Sequence, residues 1–86
     1  MQGRELVGRN MKRIRVAKGV SQEQLAFDAT VDRSYLGSIE RCDENPSVDT
    51  LDKIAVVLGI ALVELFQPIE SKIEIPGLRP GRKKRA

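Results

Sequence analysis

The chain holds one cysteine, Cys42, and no histidine among its 86 residues. That inventory removes most catalytic and metal-binding chemistry. Tetrahedral zinc sites are built from thiolates and imidazoles, and one thiol cannot supply them. No nucleophile has a base close by in sequence, and no glycine-rich loop is present to cradle phosphate. Cys42 could be reactive, or simply a small residue at a helix end. A chain of this length leaves little room for a substrate pocket. The expectation is a protein that is not an enzyme, with no metal, no cofactor and no small-molecule ligand. One cysteine also excludes an intrachain disulfide.

Charge and hydrogen bonding remain. The net charge is +3, and five of the basic residues sit in the tail: Arg79, Arg82, Lys83, Lys84 and Arg85. Without them the first 78 residues are net −2, so the basic balance does not by itself argue for nucleic acid. Within the body there is a gradient, from +3 over residues 1–41 to −5 over residues 42–78. One end should attract a polyanion and the other repel it, or the charges are ordinary surface scatter. No apolar run approaches the roughly 18–20 residues that span a bilayer, and the N-terminus shows no signal-peptide core. A soluble cytoplasmic protein with no membrane partner is expected.

Five short helices must position whatever the chain presents. Val7, Met11, Ile14 and Ala17 recur at helical spacing and predict a helix over Gly3–Lys18, ended by Gly19. Ser21 and Gln24 have capping-box spacing, with Val20 and Leu25 as a staple, and open a second helix that ends near Ala29. Leu25, Ala26 and Ala29 should face inward. Asp32 can cap a third helix that runs to Arg41 and buries Leu36 and Ile39, with Tyr35 beside them. After Pro46, Ser47 can cap a fourth helix that carries Leu51, Ile54, Ala55 and Leu58, closed by Gly59. A short fifth helix runs from Ala61 or Leu62 to Phe66 and stops at Pro68. Ser71–Ile75 alternates and permits a short strand. The tail from Arg79 to Ala86 is expected to be disordered.

The second and third helices are joined by only Thr30, Val31 and Asp32. Ala26 lets them cross closely, Val31 plugs the turn, and Leu25, Leu36 and Ile39 form the seam. That is helix-turn-helix geometry, although a plain helical hairpin has the same periodicity. Gln22 lies at the first turn of the second helix, where free amides and the dipole attract phosphate, so it reads as a backbone clamp.

Several segments resemble the Cro and lambda-repressor-type helix-turn-helix regulators, the XRE family. They are Ser21-Gln22-Glu23-Gln24-Leu25-Ala26, Arg33-Ser34-Tyr35-Leu36, Ile39-Glu40-Arg41 and Asn45-Pro46-Ser47. Asp49-Thr50-Leu51, Ile54-Ala55, Leu58-Gly59-Ile60 and Glu64-Leu65-Phe66 continue the match, so it covers Val7 to Phe66. The resemblance implies an all-α, compact, five-helix lambda-repressor-like domain over residues 3–67, with its helix-turn-helix unit at 22–41. Residues 68–86 would form a C-terminal extension and basic tail.

The family docks its second motif helix in the major groove. The resemblance then implies base contacts from Arg33, Ser34 and Ser38. The Arg33 fork can pair bidentately with guanine, or meet a phosphate. Ser34 and Ser38 can form single hydrogen bonds to bases, or be plain exposed polarity. Backbone contacts would come from Gln22, Tyr35, Arg41 and Asn45, the Tyr35 ring serving equally as core packing. Arg9 and Lys12 could add phosphate contacts or be solvated. Arg15 and Glu40 match an internal ion pair and are structural.

Four residues depart from the family pattern. Thr30 and Cys42 stand where glycine is usual, which predicts turns of another shape. Gly37 lies inside the recognition helix, either to admit DNA closely or because it is tolerated. Asp43 and Glu44 make acidic a loop that is often basic.

The resemblance implies a homodimer on double-stranded DNA, reading an inverted-repeat operator as a transcriptional regulator of the phage-repressor or restriction-modification-controller kind. Val57, Ile60, Leu62, Val63 and Phe66 would form the dimer interface, unless they fill the monomer core. Ser71–Ile75 could extend it. The basic tail could touch DNA, aid solubility or be a remnant of truncation. The competing class is an antitoxin or adaptor that binds a protein partner and autoregulates through DNA.

Overall fold

A computed structural model of the chain describes residues 2–69. The expected strand at Ser71–Ile75 and the basic tail lie outside the described residues. Within them every regular element is helical: α1 (Gly3–Ala17), α2 (Gln22–Ala29), α3 (Arg33–Glu40), α4 (Val48–Leu58), then a 3₁₀ turn (Leu62–Phe66). The fifth helix is therefore a single 3₁₀ segment. Five residues before Pro68 are too few for a sustained α-helical ladder. Its first turn is instead closed by Glu64, whose Oε2 accepts from the Ala61 amide at 3.0 Å.

The predicted caps form. Ser21 Oγ accepts from the Gln24 amide at 3.0 Å, Asp32 Oδ2 from the Tyr35 amide at 3.1 Å, and Ser47 Oγ from the Thr50 amide at 3.0 Å. The Ser21 box is only half made. Gln24 does not reach back to the cap; its Nε2 donates to both carboxylate oxygens of Asp28 at 2.9 Å, a charged acceptor one turn ahead.

One core joins all five elements. It holds Val7, Met11 and Ile14 of α1, Leu25, Ala26 and Ala29 of α2, Leu36 and Ile39 of α3, Leu51, Ile54, Ala55 and Leu58 of α4, and Leu65 of the turn. Val20 and Val31 pack against it half-buried. Burying a side chain of the Leu or Ile class removes about 1.5–3 kcal/mol worth of apolar exposure, so these positions dominate the fold. Ala17 is exposed, contrary to its helical spacing. Its neighbours Val16 and Lys18 are exposed with it, while Ile14 and Arg15 take the buried face of that turn.

The helix ends share one device. An amide reaches back five residues to a carbonyl in the preceding helix: Val20 to Arg15, Val31 to Ala26, Asp43 to Ser38 and Ile60 to Ala55, at 2.9–3.1 Å. The residue before each amide must be left-handed. Gly19 and Gly59 satisfy this at φ 71°. Thr30 and Cys42 adopt it too, at φ 58° and 69°. The expectation of differently shaped turns is thus overturned. These five-residue hydrogen bonds hold the shape, and the side chains bear the strain. Relieving the β-branched case, Thr30→Gly, is expected to stabilise the domain by about 1 kcal/mol. An unchanged or lower urea midpoint would contradict this.

Gly8 sits where α1 crosses α3. A Cβ there would overlap the backbone oxygen of Ile39 and stand 3.0 Å from Cys42 Sγ. The oxygen belongs to a helix and cannot swing aside. Gly8→Ala is expected to cost about 1–3 kcal/mol, as overpacking does, read as a fall in the urea midpoint. No sequence pattern singled out Gly8, because its spacing matches no apolar repeat.

Candidate nucleic-acid interface

Helix α3 has two unlike faces. Leu36 and Ile39 are buried, and Tyr35 packs half-buried beside them. Arg33, Ser34 and Arg41 are exposed and Ser38 half-exposed. At about 100° per residue, positions 33, 34, 37, 38 and 41 share one outward arc. Gly37 lies at its middle but is buried beneath neighbouring side chains. A Cβ there would stand in ordinary van der Waals contact with Arg41 Nη1 at 3.5 Å and Gln22 Oε1 at 3.7 Å. The two side chains that cover it are both among those expected to hold phosphate.

The polar groups of this face are already connected. Arg41 Nη2 donates to Ser38 Oγ at 3.0 Å, and Arg41 Nε lies 3.5 Å from Asp43 Oδ2. Arg33 Nε lies 3.7 Å from Glu23 Oε2 on α2. The acidic loop residue Asp43 thus faces Arg41 within the chain. Asn45 stands apart from this group. It lines a cleft with Gly3, Arg4, Val48 and Phe66, where the N-terminal ends of α1 and α4 approach. Arg9 and Lys12 are exposed on the outer side of α1, along an open groove that ends at Glu40 and Cys42.

Beneath the face lies the ion pair. Arg15 Nε donates to Glu40 Oε2 at 2.6 Å and Arg15 Nη2 to Glu40 Oε1 at 3.0 Å, while Nη1 donates to the Val20 carbonyl at 2.8 Å. Arg15 and Glu40 are both buried. The hydrogen bond and charge of Glu40 hold the Arg15 guanidinium above its ordinary pKa, against the opposing effect of burial. Gln22 joins them, its Nε2 donating to Glu40 Oε1 at 2.9 Å. One carboxylate thus links α1, α2 and α3; the resemblance implied the Arg15–Glu40 pair, and the Gln22 bond is what the sequence did not disclose.

Asn10 is fully buried and also escaped the sequence reading. Its Nδ2 donates to the carbonyls of Leu65 at 3.0 Å and Gln67 at 2.9 Å, and its Oδ1 accepts from Arg13 Nη2 at 2.8 Å. It ties the 3₁₀ turn to α1. Its spacing from Val7 and Ile14 put it beside the apolar stripe, which was the available signal. The turn so held leaves Val63 and Phe66 exposed, whereas Val57, Ile60 and Leu62 are half-buried against the core. Val56 is exposed on α4.

Comparison with known proteins agrees with this geometry. Residues 11–65 match the helix-turn-helix family. The chain is 41% identical over 70 residues to an uncharacterised HTH-type transcriptional regulator, y4dJ, of Sinorhizobium fredii, covering 81% of this chain and 91% of that one. The restriction-modification controller protein C.AhdI of Aeromonas hydrophila superposes with a TM-score of 0.71 at 43% identity, over 73% of this chain and 96% of that one. SinR, a master regulator for biofilm formation solved in complex with DNA, gives a TM-score of 0.68 at 40% identity, over 71% and 98%. The chain belongs to the XRE-type helix-turn-helix family of DNA-binding transcriptional regulators and is not an enzyme. Among the described residues no helix is long and apolar enough to cross a membrane.

Proposed function

We propose that the chain is a sequence-specific repressor or controller that binds an inverted-repeat operator as a homodimer. The observation that carries this is the outward arc of α3: Arg33, Ser34 and Arg41 exposed and Ser38 half-exposed together, on a helix whose other face is locked into the core. Arg33, Ser34 and Ser38 read base edges. Gln22, Tyr35, Arg41 and Asn45 hold phosphates and set register, which base contacts then convert into specificity. Likeness to C.AhdI favours the controller form of this reading.

Residues 3–67 form the DNA-binding domain, and 68–86 a C-terminal extension. Val57, Ile60, Leu62, Val63 and Phe66 form the dimer interface, supported by the exposure of Val63 and Phe66 beside the half-buried others. Two-fold symmetry would place two recognition helices in successive major grooves about 34–36 Å apart.

Selection of bound duplexes from a randomised pool tests the reading. The wild type should enrich paired inverted half-sites. Arg33→Ala should relax one base position in each half-site by about 1–3 kcal/mol of discrimination. Gln22→Ala should weaken binding to all sequences alike. Enrichment of no sequence would refute sequence-specific regulation, and single half-sites would refute the symmetric dimer.

A further inference from the structure

We infer that Glu23 is a positioning residue for Arg33, setting base selectivity without touching a base. The inference rests on the proposed base-reading role of Arg33.

Glu23 Oε2 faces the Nε atom of Arg33 at 3.7 Å, an ion pair between the first turn of α2 and the first residue of α3. The atom engaged matters. At 3.7 Å the carboxylate attracts Nε without hydrogen bonding to it, and the two terminal Nη groups, which have no hydrogen-bond partner among the described residues, form the fork that meets guanine O6 and N7. The other nearby carboxylates are occupied. Asp32 caps α3 through the Tyr35 amide, and Asp28 accepts both bonds from Gln24. Glu23 alone of the three is turned toward Arg33.

Stability does not account for the pair. Its side chains are 55% and 72% exposed, and such surface pairs contribute little. Affinity does not account for it either, because a carboxylate beside a DNA-facing helix repels phosphate. Both effects instead favour selectivity. Glu23 keeps the Arg33 fork extended, and it disfavours the alternative in which Arg33 pairs with any phosphate it meets. Glu23 also lies in the first turn of α2, where negative charge suits the helix dipole. That role would appear in the melting temperature and leave base preference untouched.

The full chain and its Glu23→Gln, Arg33→Ala and doubly substituted forms should be carried through the same randomised-duplex selection. Each should also be titrated with the selected duplex and with a scrambled one. Glu23→Gln is expected to lose about tenfold in preference at the base position that Arg33→Ala erases, and to bind the scrambled duplex more tightly. The double variant should discriminate no worse than Arg33→Ala alone, since both changes act through one side chain. Wild-type preference in Glu23→Gln, with Arg33→Ala altered, would overturn the role of Glu23 alone. No change in Arg33→Ala would overturn the reading of Arg33 and the pair with it. Unaltered melting of the exposed Glu23→Gln variant would show that any lost preference does not arise from unfolding.

Discussion

Glu40→Ala is expected to destabilise the domain by about 3–5 kcal/mol, the largest effect of any single substitution considered. The change removes one partner of a buried pair and leaves the other charged. Arg15 would keep its bond to the Val20 carbonyl but lose both bonds to the carboxylate. A guanidinium does not shed its proton to escape. Small domains have roughly 5–15 kcal/mol in all, so the variant should be partly unfolded near physiological temperature. Urea denaturation followed by circular dichroism measures this directly. Replacing both partners, as in Arg15→Met with Glu40→Leu, should recover most of the loss, because two apolar side chains need no counterpart. A double variant as unstable as Glu40→Ala would mean that packing, and not the unpaired charge, dominates.

Asn10→Leu should cost about 2–4 kcal/mol, because two carbonyls lose a donor that is itself fully buried. The leucine is similar in size, so the loss measures hydrogen bonding more than cavity formation. The carbonyls of Leu65 and Gln67 belong to the turn and the segment after it. The damage should therefore be local first. Native-state hydrogen exchange is expected to show amides of the 3₁₀ turn losing protection before those of α2 and α3. Uniform loss across all helices would show instead that the turn and the bundle open as one unit. If Val63 and Phe66 form the proposed dimer face, the variant should also dimerise more weakly than its stability alone would imply.

Most of the fold was legible because it rests on local rules. Caps at Ser21, Asp32 and Ser47, left-handed Gly19 and Gly59, and the apolar spacing of α4 are each decided by a few adjacent residues. What escaped reading depends on contacts distant in sequence. Asn10 looks like any polar residue on a charged helix until Leu65 and Gln67 arrive 55 and 57 residues later. Gly8 is explained only by the Ile39 carbonyl it lies against. Ala17 followed the periodicity but lacked a neighbour to bury it. Thr30 and Cys42 show the opposite error. Local preference argued against left-handed backbone, and the hydrogen bonds spanning each helix end prevailed. At the candidate interface the residue types of α3 were readable, as was the Arg15–Glu40 pair through the resemblance. The attachment of Gln22 to Glu40 and of Arg33 to Glu23 was not, since long side chains choose partners only once helices are placed.

The shared carboxylate of Glu40 also decides how this regulator could be retargeted. Helix α3 is not a cassette that can be exchanged whole. Its last residue is fastened to both preceding helices, and the Ile39 carbonyl fits against Gly8. A library aimed at new operators should hold Leu36, Ile39 and Glu40 constant and vary Arg33, Ser34 and Ser38, whose side chains no other helix buries. Gln22 belongs with the constant set, because its amide is part of the same knot. Glu23 belongs with the varied set, so that each new reader at position 33 can acquire a matching neighbour.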